Sequence, residues 1–427
     1  MDCKLYSAYL NILREELVPA MGCTEPIALA YAAASAHALL GKIPEKVSVE
    51  VSGNLIKNAM GVTVPNTDGM RGIEAAVAAG IVAGNEKRKL ECIAAVGDSD
   101  RVRIREYLAR NIITVELCES ELAFDCTVKV EAEGESALIR MANAHTNIVH
   151  REKNGEVISD TPVSCESEDG MSSHECLTVE NIIKFAEEVE LSDVEPILSR
   201  QIECNSTISA EELKNPWSAC IGQTLLKCAG DDLMNKAKAR AAAGSDARMN
   251  GCAMPVVILS GSGNQGMTAS LPVITYAEEQ KRSREELLRA LVVSDLCAIH
   301  LKTYIGRLSA FCGAVCAGAG AGAGICFLEG GRVREVSHTL VNALGISSGI
   351  VCDGAKASCA GKIALAVEAG ILGWEMFKNG GKQFYSGEGI ITKGVENTIR
   401  NVGILGHDGM KATDRTIMEI MLKRTMC

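Results

Sequence analysis

The stretch GAVCAGAGAGAGICFLEGG, residues 313–331, decides how the second half of this chain is read. Twelve of its nineteen residues are glycine or alanine, and side chains that small let a buried helix meet its neighbours backbone to backbone. Its bias is compositional, without the period of a solenoid repeat. Upstream, helical periodicity runs through NIIKFAEEVE (181–190), AEELKNPWSACIGQTLLKCA (210–229) and SREELLRALVVSDLCAIHLKTYIGRLSAF (283–311). Strand signals nearly vanish there, so this half is expected to be a packed set of helices closing on a Gly-rich region and a final helix.

The first half alternates elements. A helix is expected over 4–19 and a second from Thr24 to Leu40, followed by a strand at KVSVEVSG (46–53). ITVEL, CTVKVEA, SALIRMA and TNIVHRE cluster or alternate β-branched and apolar residues between turn signals, which predicts an antiparallel sheet over 112–151. Residues 159–177 are polar, acidic and unpatterned and read as a linker. The fold class is therefore α+β, with a mixed α/β domain over 1–165 and a mainly helical domain over 166–427.

The chain of 427 residues carries a net charge of -11 and no cluster of Lys and Arg. That argues against a nucleic-acid partner or an anionic membrane surface. The opening residues lack a signal-peptide pattern and no stretch reads as a bilayer span, so a soluble cytoplasmic protein is expected. A homo-oligomer is left open.

Eighteen cysteines without a secretory context read as reduced thiols. Cys92, Cys118, Cys126, Cys220 and Cys228 sit singly among apolar residues and are expected to behave as small buried hydrophobes. Cys23, Cys312, Cys352 and Cys359 lie beside glycines and polar residues in turns, where backbone can approach a cofactor. Cys352 follows Cys312 by forty positions and Cys359 comes seven later, with none of the C-x-x-C pairs of a structural zinc site. Iron-sulfur clusters accept irregular spacings, and three thiolates on a 4Fe-4S cluster leave one iron open as a Lewis acid. By spacing alone, buried free thiols are the simpler reading.

Six segments in order, MGCTEP (21–26), SGNLIKNAMGVTVPNT (52–67), NAHTNI (143–148), SGSGNQGMTASLPV (260–273), the run from Arg307 to Gly331 and CDGAKASCAGK (352–362), together resemble the L-cysteine desulfidase family. More distantly, GNQGMTASLPV, AFCGAV and CDGAKASC are similar to the helical catalytic domain of bacterial iron-sulfur L-serine dehydratases. The resemblance implies a 4Fe-4S cluster on Cys312, Cys352 and Cys359, and non-redox β-elimination of L-cysteine to pyruvate, ammonia and hydrogen sulfide. Two departures, a shorter interval between the last two cysteines and CDG where the dehydratases show CDP, bear on the loop geometry.

Cys23 precedes a helix with Glu25 and Pro26 in its first turn, where unpaired N–H groups and the helix dipole favour thiolate. A buried structural cysteine is the alternative. The resemblance implies that Cys23 is needed for activity, as base or proton carrier beside the cluster. Asn54, Asn58, Asn66, His145, Asn147 and Gln265 lie in glycine-bearing polar segments and form the candidate substrate-binding set, although each asparagine alone is more commonly a cap or turn residue. No Walker loop, GxSxG elbow or HExxH helix is present, and no lysine is marked for a pyridoxal cofactor.

L-Serine dehydration is the nearest competitor, and a non-catalytic iron-sulfur redox sensor is the reading from another class. The terminal Cys427 is a candidate for reaching the open iron when substrate is absent.

Overall fold

A computed structural model describes residues 1–425 apart from 121, 123, 164–171, 231, 307, 385 and 388, with side chains described up to 421. Cys427 and residues 164–171 of the expected linker lie outside the described residues.

The first half runs α1 (Cys3–Glu16), β1 (Pro19–Met21), α2 (Thr24–Leu40), β2 (Lys46–Val51), α3 (Gly53–Ala59), α4 (Gly72–Ala83), α5 (Asp98–Ala109), β3 (Ile113–Leu117), β4 (Asp125–Ala132), β5 (Glu135–Ala142), β6 (Ile148–Lys153) and β7 (Glu156–Asp160). Asp2 caps α1, accepting hydrogen bonds from the Lys4 and Leu5 amides. The helix stops short of residue 19 because Pro19 opens a short strand. α2 begins at Thr24 as the sequence predicts and ends at Gly41, which takes a left-handed conformation.

Six strands form one sheet in the order β3-β2-β4-β5-β6-β7. Alternate residues of β4, Cys126, Val128 and Val130, are buried on the face against α2. α2 is apolar nearly all round because α4 packs against it as well. The expectation of a wholly antiparallel sheet over 112–151 is corrected at β3, which pairs parallel to β2 with Val49 opposite Val115. The connection between them carries α3, α4 and α5, the long crossover that a parallel pair requires. β7 falls where the linker was expected to begin; all five of its residues are exposed, so no buried face marked it in the sequence.

The second half is helical, with α6 (Val179–Glu188), α7 (Leu191–Lys214), α8 (Ile221–Cys228), α9 (Leu233–Met249), the short β8 (Pro255–Val257), α10 (Gly263–Glu279), α11 (Arg284–Thr303), α12 (Gly313–Leu328), α13 (Val333–Ser347), α14 (Cys359–Lys378), α15 (Val395–Ile404) and α16 (Lys411–Thr425). α12 is the glycine-alanine stretch, and it packs against α10, α11, α13 and α14. A Cβ at Gly318 or Gly322 would come 2.3 Å from a carbonyl oxygen of α14, and one at Gly320 would come 2.6 Å from the Ser294 carbonyl of α11. Backbone contact with two neighbours is what the composition of this helix provides.

The two halves share structure. β1 pairs antiparallel with β8, Ala20 facing Val256. Tyr6 of α1 donates to Asp193 Oδ2 at 2.6 Å, and Tyr9 packs on Phe185. One hydrophobic core runs from Tyr9 to Val402. Among the described residues no helix is long and apolar enough to cross a membrane.

Every described cysteine is free. Cys92 and Cys126 are buried as expected of small hydrophobes and Cys118 is partly so, but Cys228 is exposed and Cys220 is only half-buried. Cys220 precedes α8 with a left-handed backbone, φ 50°, outside the apolar packing its sequence neighbours suggested.

Candidate active site

Four helices begin at one cavity of about 100 Å³: α2 with Cys23 and Glu25, α10 with Asn264 and Gln265, α12 with Cys312, and α14 with Cys359. Helix N-termini present unpaired N–H groups and partial positive charge, so their convergence makes a site for anions. Cys312 is the residue before α12 and Cys359 the first of α14. Cys352 is held beside Cys312 by a short antiparallel bridge. In it the Cys312 amide donates to Ile350 O at 3.2 Å and the Cys352 amide to Ala310 O at 2.7 Å.

The loop from Cys352 to Cys359 is pinned by Asp353, which pairs with Lys356 and Lys362. Gly354 stands at φ +99°, and a Cβ there would lie 2.2 Å from the Lys57 carbonyl of α3. A proline ring holds φ near -65°, so this loop cannot follow the path of a CDP motif. The departure noted in the sequence is therefore a real difference in backbone geometry. Asp414 of α16 closes this side, pairing with Lys57 and accepting from the Ala310 amide at 2.8 Å.

Burial first, and then the neighbouring Cys352, push the Cys312 thiol up to about 12; burial likewise raises Cys359. Thiols so placed ionise readily only if a cation replaces the proton. Among the described residues the three sulfurs do not converge within 4.8 Å of one another, as donors to one ion would. A four-iron cluster instead holds its thiolates at separate corners, and three thiolates around a cavity fit that group.

Cys23 Sγ donates to Glu25 Oε2 at 3.0 Å, deep in the wall. Burial, then the charge of Glu25, push this thiol well above its ordinary value while Arg248 pulls it the other way. Burial and the adjacent carboxylate thus oppose the thiolate that the helix terminus favours. The wall also carries two buried cations that the sequence did not mark. Arg248, at the end of α9, donates from Nε to Gly22 O at 2.8 Å and from Nη1 to Asn264 Oδ1 at 3.1 Å; its Nη2 is buried without a hydrogen-bond partner. A Cβ at Gly263 would lie 2.5 Å from Arg248 Nε, so the glycine makes room for the guanidinium. Lys302 of α11 is also buried; desolvation pulls its ammonium down, offset by Cys316, Cys352 and Cys312. The sequence signal for Arg248 was slight, a long cation in a run of small residues.

Of the candidate substrate residues, Asn58 and Gln265 line the cavity. Gln265 packs against Gly313, and its Oε1 is buried without a hydrogen-bond partner. Asn54 lies on α3 but does not line the cavity. Asn66, at φ 61°, spends its amide on the Ile93 and Ala94 carbonyls. Asn147 donates to Ala142 O within its turn, and His145 packs edge-on against Phe124. These three hold local backbone or core, the commoner fate of such residues.

Thiols, a thiol-carboxylate pair and buried cations thus meet where four helices begin. Residues 79–419 match the serine dehydratase alpha chain family, and the chain belongs to that family. It is 55% identical over 421 residues to a UPF0597 protein of Desulfitobacterium hafniense, covering 99% of this chain and 98% of that protein. A UPF0597 protein of Treponema denticola is 44% identical over 429 residues, covering 99% of each.

Proposed function

We propose that this protein is an L-cysteine desulfidase, in which Cys312, Cys352 and Cys359 hold a 4Fe-4S cluster. The observation that carries this reading is the cavity in which the three thiols share a wall with the Cys23–Glu25 pair and two buried cations. When bound, the cluster supplies an iron without a protein thiolate, a Lewis acid that favours departure of the substrate's β-sulfur.

The remaining chemistry belongs to the chain's own groups. Arg248, Lys302 and the helix N-termini bind the substrate carboxylate, and the free Oε1 of Gln265 accepts a hydrogen bond from its α-ammonium. Holding the carboxylate against buried cations makes the Cα proton more acidic. Cys23 passes its proton to Glu25 Oε2 and takes the Cα proton at Sγ. The Cα–H electrons form the Cα–Cβ double bond as the Cβ–S pair leaves with sulfide. The aminoacrylate released tautomerises and hydrolyses to pyruvate and ammonia.

The choice of cysteine rests on the six motifs resembling the desulfidases. L-Serine would lose water through the same proton path and give the same organic products. The test is anaerobic turnover of L-cysteine by cluster-reconstituted protein, following sulfide and pyruvate together. Equal yields are expected, absent in Cys312→Ala with its cluster lost and in Cys23→Ala with its cluster retained. Pyruvate from serine without sulfide from cysteine would make the protein a dehydratase, and an intact cluster with neither activity would make it a sensor.

A further inference from the structure

On the side of α9 where Asp246 lies, a second set of donors meets away from the cavity. Glu212 of α7 and Asp246 of α9 are both 0% exposed, and Cys220 precedes α8. One carboxylate oxygen from each acid and the Cys220 Sγ all lie within 4.8 Å of one another. Asp246 is oriented by its neighbours, accepting from the Cys220 amide at 2.7 Å and from Asn250 Nδ2 at 3.1 Å. Glu212 is different: both of its oxygens are buried without a close hydrogen bond, and the backbone amide of Gln223 is the donor directed at them. Gly222 leaves room for that carboxylate, since a Cβ there would lie 2.9 Å from Glu212 Oε2.

Two buried acids need a counter-charge, because an unpaired carboxylate in a low dielectric is strongly disfavoured. Among the described residues no lysine, arginine or histidine pairs with either acid. Protonation of one acid is the competing way to neutralise the pair, and it predicts that no zinc is taken up. Two buried carboxylates and a thiol drawn this close have the arrangement of ligands around an ion. A thiolate among them favours a borderline-soft transition metal over magnesium or calcium, and zinc takes Cys S, Asp O and Glu O alike.

We propose that Glu212, Cys220 and Asp246 bind a divalent zinc-class ion that ties α7, the start of α8 and α9 together. The ion is separate from the cluster thiols, but Asp246 stands two residues before Arg248 on α9. It therefore braces the helical turn that carries the cavity's arginine.

The test uses full-length protein purified anaerobically, freed of loosely held metal and titrated with Zn²⁺ against a chromophoric chelator, then with Co²⁺. One zinc equivalent is expected beyond any iron, with affinity at least about ten-fold lower in Cys220→Ser and in Glu212→Gln. The Co²⁺ form should show a thiolate-to-cobalt charge-transfer band that is lost in Cys220→Ser and kept in Cys312→Ser. Zinc should also raise the Tm of the unsubstituted protein and leave that of Cys220→Ser unmoved. Because Cys220 is half-buried, its serine variant keeps the core intact. No uptake of zinc, or uptake and a cobalt spectrum indifferent to both substitutions, would overturn the proposal.

Discussion

Cys23 Sγ and Glu25 Oε2 lie 3.0 Å apart across the first turn of α2, in the wall of the cavity that also holds Cys312 and Arg248. The thiol donates and the carboxylate accepts, so the pair has a path for one proton between them. Glu25→Gln preserves the shape but removes the acceptor's basicity. Its kcat for elimination should fall by about 10²–10³, the usual worth of a positioned proton-transfer group, with KM little changed. Steady-state rates at matched cluster absorbance check this, and an unaltered kcat would remove Glu25 from the proton path.

Arg248 spends Nε on Gly22 O and Nη1 on Asn264, leaving Nη2 without a hydrogen-bond partner. Lysine offers one charged centre and cannot reproduce that fork. Arg248→Lys should raise KM by about ten-fold or more, a loss of roughly 1.4 kcal/mol in binding, while the cluster spectrum stays as it was. A KM equal to that of the unsubstituted protein would show that the carboxylate is bound elsewhere.

Gly322 and Gly361 form a matched pair of helical glycines. A Cβ at Gly322 would meet the Gly370 carbonyl at 2.3 Å, whereas nothing lies within 4 Å of one at Gly361. Gly322→Ala should destabilise by about 1–3 kcal/mol through overpacking. Gly361→Ala should stabilise by about 0.5–1 kcal/mol through lower backbone entropy in the unfolded chain. Denaturant melts of the two variants read the difference directly.

Asp295 is fully buried in α11, with Oδ1 accepting from Gln201 at 3.0 Å and Oδ2 without a partner. Desolvation raises its carboxyl to about 7, only partly opposed by Gln201. Between the ordinary carboxylate range and that value the folded chain binds the proton and the unfolded chain does not. Stability from this group is therefore fully present at acid pH and is lost as pH rises toward 7, by up to about 1.4 kcal/mol per pH unit. Asp295→Asn should flatten that slope and be the more stable form at pH 8; an unchanged slope would show that Asp295 ionises without cost.

Much of the architecture was legible because its signals are local. Thr24 opens α2 where the Cys-Thr-Glu-Pro run predicts, and alternate burial in β4 follows its alternation of side chains. The glycines of α12 announce a helix that touches its neighbours. The parallel pairing of β3 was not legible, because a strand's own residues do not record the direction of its partner. β7 was hidden for want of a buried face. The two cations were missed because Arg248 and Lys302 look like ordinary helical residues until packing buries them.

The sequence by itself determined the α+β class, the start of α2, the close-packed character of α12 and the four cysteines beside turns. These follow from short-range rules of periodicity, capping and side-chain size, which act within a few residues. Only the tertiary structure decided that Asn58 and Gln265 share the cavity while Asn66, His145 and Asn147 serve local backbone or core. It also set Cys23 against Glu25 in a desolvated wall, where burial and the carboxylate oppose the effect of the helix end. Burial and convergence arise from how helices pack across the chain, and a residue's sequence neighbours carry no record of which distant groups will exclude water from it.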